Sequence, residues 1–412
     1  MKKFIAVFLT AVLLVCSLSF AAFAEESDYA YDMEYYSKLK DSGITLYVYN
    51  WGEYISDGSD DSLDVVKEFE ALTGINVEYT TFDSNESLFA KLKSGSASYD
   101  VIIPSDYMVA RLAEAGMLHK LDYSNIPNFD RYIDDEFKNP EYDAKNEYSV
   151  PYMWGTVGII YNEKYVDEAD VAEKSWDLLW NEKYAGKILM FDNSRDAFAI
   201  ACKKLGYSMN TTDKEELTAA AEELAAQRGV VQAYVMDQIF DKMVEENAWI
   251  APYYAGDYLS MAEDNESLCF YSPKEGTNLF TDAMCIPATS KNKEAAEMFI
   301  NFMCEPTVSA ANADYIWYST PISAAKELMD PEMAENEIAY PSEDAMKNME
   351  RFTNLSEEAN QLMDDLWVAA VRTNELTPGF WVGIAAICII ILAAVFRNMY
   401  VKKKRMEARM KY

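Results

Sequence analysis

Histidine is almost missing from this sequence: His119 is the only one in 412 residues. That removes most zinc sites and any Ser-His-Asp or Cys-His machinery. Cysteine is sparse, and none of the six forms a Cys-x-x-Cys pair. Cys202, Cys269, Cys285 and Cys304 each sit in an apolar run. They are either buried free thiols or partners in one of three possible pairings. No internal repeat and no low-complexity segment is present, which excludes solenoids and arrays.

Basic residues are scarce as well, 36 Lys and Arg against 69 Asp and Glu. Many of those sit at the chain ends. Setting aside Lys2 and Lys3, then the seven basic residues from Arg397 onward with Glu407, leaves 27 basic against 68 acidic residues, a balance of −41. Such a field attracts small cations and repels nucleic acid and anionic lipid.

Long hydrophobic runs are confined to the two ends. Lys2 and Lys3 precede an apolar stretch from Phe4 to Phe23, and Ala22-Phe23-Ala24 is a small-x-small cleavage pattern. Residues 1–24 therefore read as a signal peptide. Cys16 follows Val15, where a lipoprotein signal wants a small residue, so ordinary cleavage after Ala24 is expected. At the other end, 380–396 is 17 residues without a charge, the short limit for a transmembrane helix. Trp381 and Tyr400 suit the two interfaces. The basic tail 397–412 then lies in the cytoplasm by the positive-inside rule, and the part between leader and span lies outside the cell membrane.

What remains is rich in aromatics and long enough for two domains. Residues 25–43, acidic and tyrosine-rich, are expected to be a short stalk. Beyond them strand and helix patterns alternate. Leu46–Asn50, Ile75–Tyr79 and Tyr99–Ile103 read as strands. Ser62–Thr73, closed by Gly74, and Glu86–Lys93 read as helices. The run YSVPYMWGTVGIIYN (148–162) suits a strand crossing from one domain to the next. A helix-rich stretch to about 250 follows, then WIAPYYAGDY, NLFTDAMCIPA and a helix over Lys293–Met303. This order predicts an α/β fold with parallel sheets flanked by helices. Ligands in such sheets bind beyond the carboxyl ends of the strands.

The strand-end turns share a composition. Trp51-Gly52-Glu53, Pro104-Ser105-Asp106-Tyr107, Tyr253-Tyr254-Ala255-Gly256-Asp257 and Phe280-Thr281-Asp282 each combine an aromatic with an acid. The stretch Phe191-Asp192-Asn193-Ser194-Arg195-Asp196 adds a fifth. Aromatic faces attract ammonium groups by about 0.5–2 kcal/mol and also cover alkyl chains. A carboxylate–ammonium hydrogen bond adds about 1.5–3 kcal/mol. A slot walled by rings and tipped with acids suits a flexible diamine or triamine. The competing reading makes Ser105 and Asp106 plain helix caps.

In order along the chain, YNWGEYI (49–55), YDVIIPSDYMV (99–109), VPYMWGTVGIIYN (150–162), KKLGYSMNTTDKEE (203–216), DAMCIPATSKNKEAAEMFINFM (282–303) and YSTPI (318–322) resemble the spermidine/putrescine-binding proteins of bacterial ABC transporters. The likeness runs from about Thr45 to Phe352. It implies a two-lobed, periplasmic-binding-protein-like fold of type II that closes on ligand like a clamp. One lobe would comprise 44–156 and 281–325, the other 157–280 and 326–370. Carried over by motif, Trp51, Gly52, Ser105 and Tyr107 would line the first lobe. Asn193, Asp196, Tyr254 and Asp257 would line the second, and Phe280, Asp282, Tyr318 and Phe352 would complete the site. Asp282 would take an inner amine, and Asp257 or Asp196 a terminal one.

This sequence also departs from the family pattern. Gly52 stands where Thr or Ser is common, and Asn193 where spermidine binders carry an acid. Tyr254 and Phe280 replace tryptophans, and Phe352 a glutamine. Fewer acids and the Ala-Gly-Asp turn tilt the expectation toward putrescine. The resemblance thus implies a monomeric polyamine receptor without a cofactor, and the C-terminal span, a departure from the family's free periplasmic form, would anchor it in the membrane. Its partners would be an ABC permease with its ATPase. Other readings are a receptor for an amino acid or iron, the latter through Tyr253-Tyr254, and a tethered hydrolase with Asp257 and Asp282 as acid and base.

Overall fold

The computed structural model describes residues 30–372. The expected leader, span and basic tail lie outside the described residues. Nine strands form one continuous sheet: β1 (Thr45–Trp51), β2 (Asn76–Phe82), β3 (Val101–Ile102), β4 (Ser149–Asn162), β5 (Ile188–Phe191), β6 (Val231–Val235), β7 (Ile250–Tyr254), β8 (Leu268–Tyr271) and β9 (Leu279–Cys285). The spatial order is β2-β1-β3-β9-β4-β7-β5-β6, with β8 also on β4. The expected α/β class is present, with parallel pairs β1–β2, β1–β3, β5–β6 and β5–β7.

The long apolar run at 148–162 joins the two parallel sets. Every residue of β4 except Tyr161 is buried, which needs neighbours on both faces and both edges. Its first half, Ser149–Thr156, pairs antiparallel with β9. Its second half pairs with β7 and β8. Pro151 has no N–H to give the ladder, and the register shifts between Pro151 and Met153.

Local chemistry moves some boundaries. The helix expected from Ser62 begins at Val65, because Asp64 caps it and accepts from the Lys67 amide at 2.9 Å. It ends at Thr73, with Gly74 left-handed at φ 71°. Phe69 of that helix is fully buried. Lys293–Met303 is a helix over the range expected.

Two expectations need correction. Residues 33–43 are not a stalk: Met33–Tyr36 is a helical turn that buries Tyr35 and Tyr36. Tyr36 packs on Phe302 and donates to Glu305 Oε1 at 2.6 Å. Its phenols face the core because acid and amide partners wait there, which composition alone cannot reveal. Phe280-Thr281-Asp282 is not a strand end either but lies inside β9. The four cysteines within the described residues are free thiols, three of them buried.

Candidate functional site

The ends of strands from both halves of the sheet meet at one cleft holding about 580 Å³ of space free of protein atoms, part of it open to solvent. Trp51, the last residue of β1, stands on one side with Gly52. Ser105 precedes the helix Asp106–Glu114, and Tyr107 lies in its first turn. Opposite, Asp196 sits in the first turn of Ser194–Lys204, Tyr254 ends β7, and Asp257 opens Ala255–Asp264. Phe280 and Asp282 reach in from β9, and Tyr318 and Phe352 complete the wall. Asn193 alone among the expected site residues does not line the cleft. It caps the helix behind Asp196, accepting from the amides of Arg195 and Asp196. Its side-chain amide donates to Asp196 Oδ2 at 2.7 Å. Asn193 therefore positions a carboxylate where the sequence suggested a wall residue.

Ser105 is not a plain cap. It holds the N-cap position without a capping bond. Its hydroxyl instead accepts from Asn85 Nδ2 at 3.1 Å, and its amide donates to Asn85 Oδ1 at 3.2 Å. Asp106 points away from the cleft and accepts from the Tyr107 amide at 2.7 Å.

Four carboxylates line the cleft: Asp196, Asp237, Asp257 and Asp282. Among the described residues, no Lys, Arg or His does. Asp282 is 4% exposed, and its Oδ2 accepts from the Tyr54 hydroxyl at 2.8 Å. Its Oδ1 is buried without a partner. Burial pushes its pKa up to about 6, opposed by the neighbouring hydroxyls of Ser105 and Tyr54. Burial pushes Asp196 up to about 7. The Tyr254 bond and the Arg195 charge oppose that shift, and negative charge on Glu86 and Asp282 adds to it. Asp257 is raised well above the usual carboxylate range, first by burial and then by Asp237, Glu53 and Asp282, against a bond from Tyr318. These shifts share one cause, burial in a poorly hydrated cleft, to which neighbouring acids add at Asp196 and Asp257.

Aromatic rings form the walls. Tyr254 meets Phe280 edge-on at 5.5 Å between centroids, and Phe280 lies 6.3 Å from Tyr318. Tyr318 in turn meets Tyr54 at 4.6 Å, and Tyr107 meets Phe352 at 5.5 Å. Glycines make room for them. A Cβ at Gly256 would overlap the Tyr318 ring, and one at Gly155 would come within 3.0 Å of Phe280. A Cβ at Gly52 would overlap the carboxylate of Asp237 reaching across the cleft.

Arg195, the one arginine that could have met an amino-acid carboxylate, stays behind this wall. Its guanidinium stacks on Phe352 at 4.4 Å and Tyr107 at 5.5 Å, and bonds to Asn210 Oδ1 and the Thr353 carbonyl. The iron reading loses Tyr254, whose hydroxyl donates to Asp196 at 3.1 Å.

Tyr54, Asn85, Met236, Asp237 and Asn278 also line the cleft and were not anticipated, and Tyr253 joins them from the turn already singled out. Met236 and Asp237 follow β6, a strand hidden inside a stretch read as helical. The strand-end rule, applied to VQAYV, would have found both. Glu53 is exposed and opens onto a neighbouring surface hollow instead.

Residues 96–349 match the family of bacterial extracellular solute-binding proteins. The chain belongs to that family. As a solute-binding protein it is a receptor and not an enzyme, so the hydrolase reading of Asp257 and Asp282 falls. Similar relatives include a spermidine/putrescine-binding periplasmic protein of Escherichia coli (strain K12), 37% identical over 311 residues, 75% of this chain and 87% of that protein. A putrescine-binding periplasmic protein of Pseudomonas aeruginosa (strain UCBPP-PA14) is 32% identical, over 78% of this solute-binding protein and 90% of its own length. A solved structure, a putative spermidine/putrescine ABC transporter protein from Listeria monocytogenes, is 38% identical with a TM-score of 0.74. That match covers 79% of this chain and 98% of the other.

Proposed function

We propose that this solute-binding protein is the polyamine receptor of an ABC importer, taking putrescine or spermidine into the cleft and presenting it to the permease. The observation that carries this reading is the lining itself: four carboxylates, a wall of rings and no cationic side chain. A polyammonium chain supplies the missing positive charge at its nitrogens, while its methylenes lie against Tyr254, Phe280 and Tyr318. Relatives of this chain are named for the same ligands.

In this reading 44–156 with 281–325 and 157–280 with 326–370 act as two lobes, and ligand favours the closed arrangement by its differential affinity for it. The leader 1–24 is removed. The segment 380–396 tethers the receptor in the cell membrane, with 397–412 in the cytoplasm and the binding domain outside. Asp282 holds the inner ammonium of spermidine or one end of putrescine, and Asp257 or Asp196 holds a terminal ammonium. The Ala-Gly-Asp turn at 255–257 favours putrescine over spermidine.

Equilibrium binding of labelled putrescine tests the ligand class. Competition by spermidine is expected, with none by γ-aminobutyrate, glutamate or ferric citrate. Displacement by an amino acid instead would move the receptor to another solute.

A further inference from the structure

Asn278 has no structural task that its side chain would explain. It sits just before β9, 5% exposed, and its backbone is already fixed. The carbonyl accepts from the Val157 amide at 3.2 Å, and the residue pairs with Glu350 in an isolated bridge. Its side-chain Oδ1 is buried with no hydrogen-bond partner. Leaving such an acceptor unpaired costs about 1–3 kcal/mol, whereas an apolar side chain of the same shape would cost nothing of the kind. The residue lines the ligand cleft. With Asp196 it also forms the partition between that cleft and a small, mostly apolar cavity behind it bounded by Val157 and Ala199. Among the carboxylate and amide oxygens of the cleft residues, Asp282 Oδ1 is the other buried acceptor without a partner.

Two unpartnered acceptors on the wall of one cleft, against a single unpartnered donor at Trp51 Nε1, call for N–H donors from whatever enters it. Asp196 cannot satisfy an ammonium group alone, because its Oδ2 already accepts from Asn193 and Tyr254. A primary ammonium brings three donors. We infer that Asn278 is a specificity-determining ligand residue, its Oδ1 accepting an N–H from the ammonium that Asp196 neutralises. This rests on the polyamine reading above. A neutral amide suits the position, since a fifth carboxylate beside Asp196 would add like-charge repulsion to an already acidic site.

The test uses the full-length chain in mild detergent, with calorimetric titration of putrescine and spermidine at pH 8. Asn278→Leu and Asn278→Ala, which lack the acceptor, should each bind about tenfold more weakly or worse. Asn278→Asp, which keeps an acceptor, should bind near wild type at pH 8 and lose affinity more steeply on acidification. The ligand-free melting temperature of Asn278→Leu should equal or exceed that of wild type, because an unpaired buried oxygen has gone. The proposal is overturned if the acceptor-free variants bind within twofold of wild type. It is equally overturned if affinity and ligand-free stability fall together and Asp recovers neither. A wild-type chain that gives no heat with either polyamine removes the ammonium donor itself, which overturns this inference together with the polyamine reading. That result is recognisable because the unmutated protein is silent.

Discussion

In the proposed reading, single carboxylates decide what this cleft accepts. Asp282 is the most constrained of them, buried with one oxygen paired to Tyr54 and the other unpaired. Asp282→Ala should weaken polyamine binding by more than about 1.5 kcal/mol, the lower value for one charge-assisted hydrogen bond. Unchanged affinity would place the ammonium elsewhere. The raised pKa values give a pH dependence with a definite sign. In the free receptor Asp282 titrates at about 6 and Asp196 at about 7. A bound cation holds both ionised, so binding expels their protons. Affinity should therefore be full near pH 8 and fall steadily toward pH 5.5. The same carboxylates are easier to ionise in the unfolded chain. Ligand-free stability should thus decline as pH rises from about 4 to 7. The melting-temperature gain from putrescine should then be larger at pH 8 than at pH 5.5, and equal gains would contradict the shifts. At this scale much was legible from the sequence. An aromatic beside an acid at a strand end marked Trp51, Tyr107, Tyr254 and Asp257, because the strand-end rule is local. Asn278 carried no such mark, and Asp237 went unread because β6 was not read as a strand. Their surroundings come from distant parts of the chain, Gly52 across the cleft from Asp237 and Asp196 beside Asn278.

Elements place these residues, and two of them make sharp tests. The helix Ala255–Asp264 begins with the glycine that faces Tyr318. Helix propensity alone favours alanine over glycine by about 1 kcal/mol. Overlap with the Tyr318 ring argues the other way, and overpacking costs about 1–3 kcal/mol. Gly256→Ala should therefore lower stability in chemical denaturation and weaken polyamine binding; a stabilised variant would show that Tyr318 yields without cost. The turn Met33–Tyr36 is the second case. Tyr36 is fully buried between Phe302 and Glu305. Tyr36→Ala should cost about 3 kcal/mol, as large-to-small core changes do, whereas a residue in a stalk would cost nothing measurable. Strands and helices with clean periodicity, such as β1, β4 and Lys293–Met303, were readable from sequence. The β6 strand and the buried turn at 33–36 were not, because neighbours from distant parts of the chain give them their environment. Phe280 and Asp282 were readable as site residues but not in their place, since they enter the cleft from within β9, where β4 pairs alongside, and not from a strand end.

At the scale of the whole molecule, the acidic balance and the cleft serve one purpose. A strongly negative surface raises the local concentration of small polycations. The cleft then selects among them by the spacing of carboxylates along its rings. Because its lining comes from both halves of the sheet, from Gly52 and Ser105 on one side and Asp196 and Asp237 on the other, a ligand bridging them should compact the protein. Small-angle scattering of the ligand-free and putrescine-bound receptor should show a smaller radius of gyration when bound, and identical curves would argue against closure. The most direct test of the central claim is calorimetric titration of residues 25–376 with putrescine and then spermidine at pH 8 and moderate salt. The account predicts one-to-one binding of at least one of them, with protons released to the buffer when the titration is repeated near pH 6. Absence of heat with both polyamines, from a protein that is folded, would contradict it.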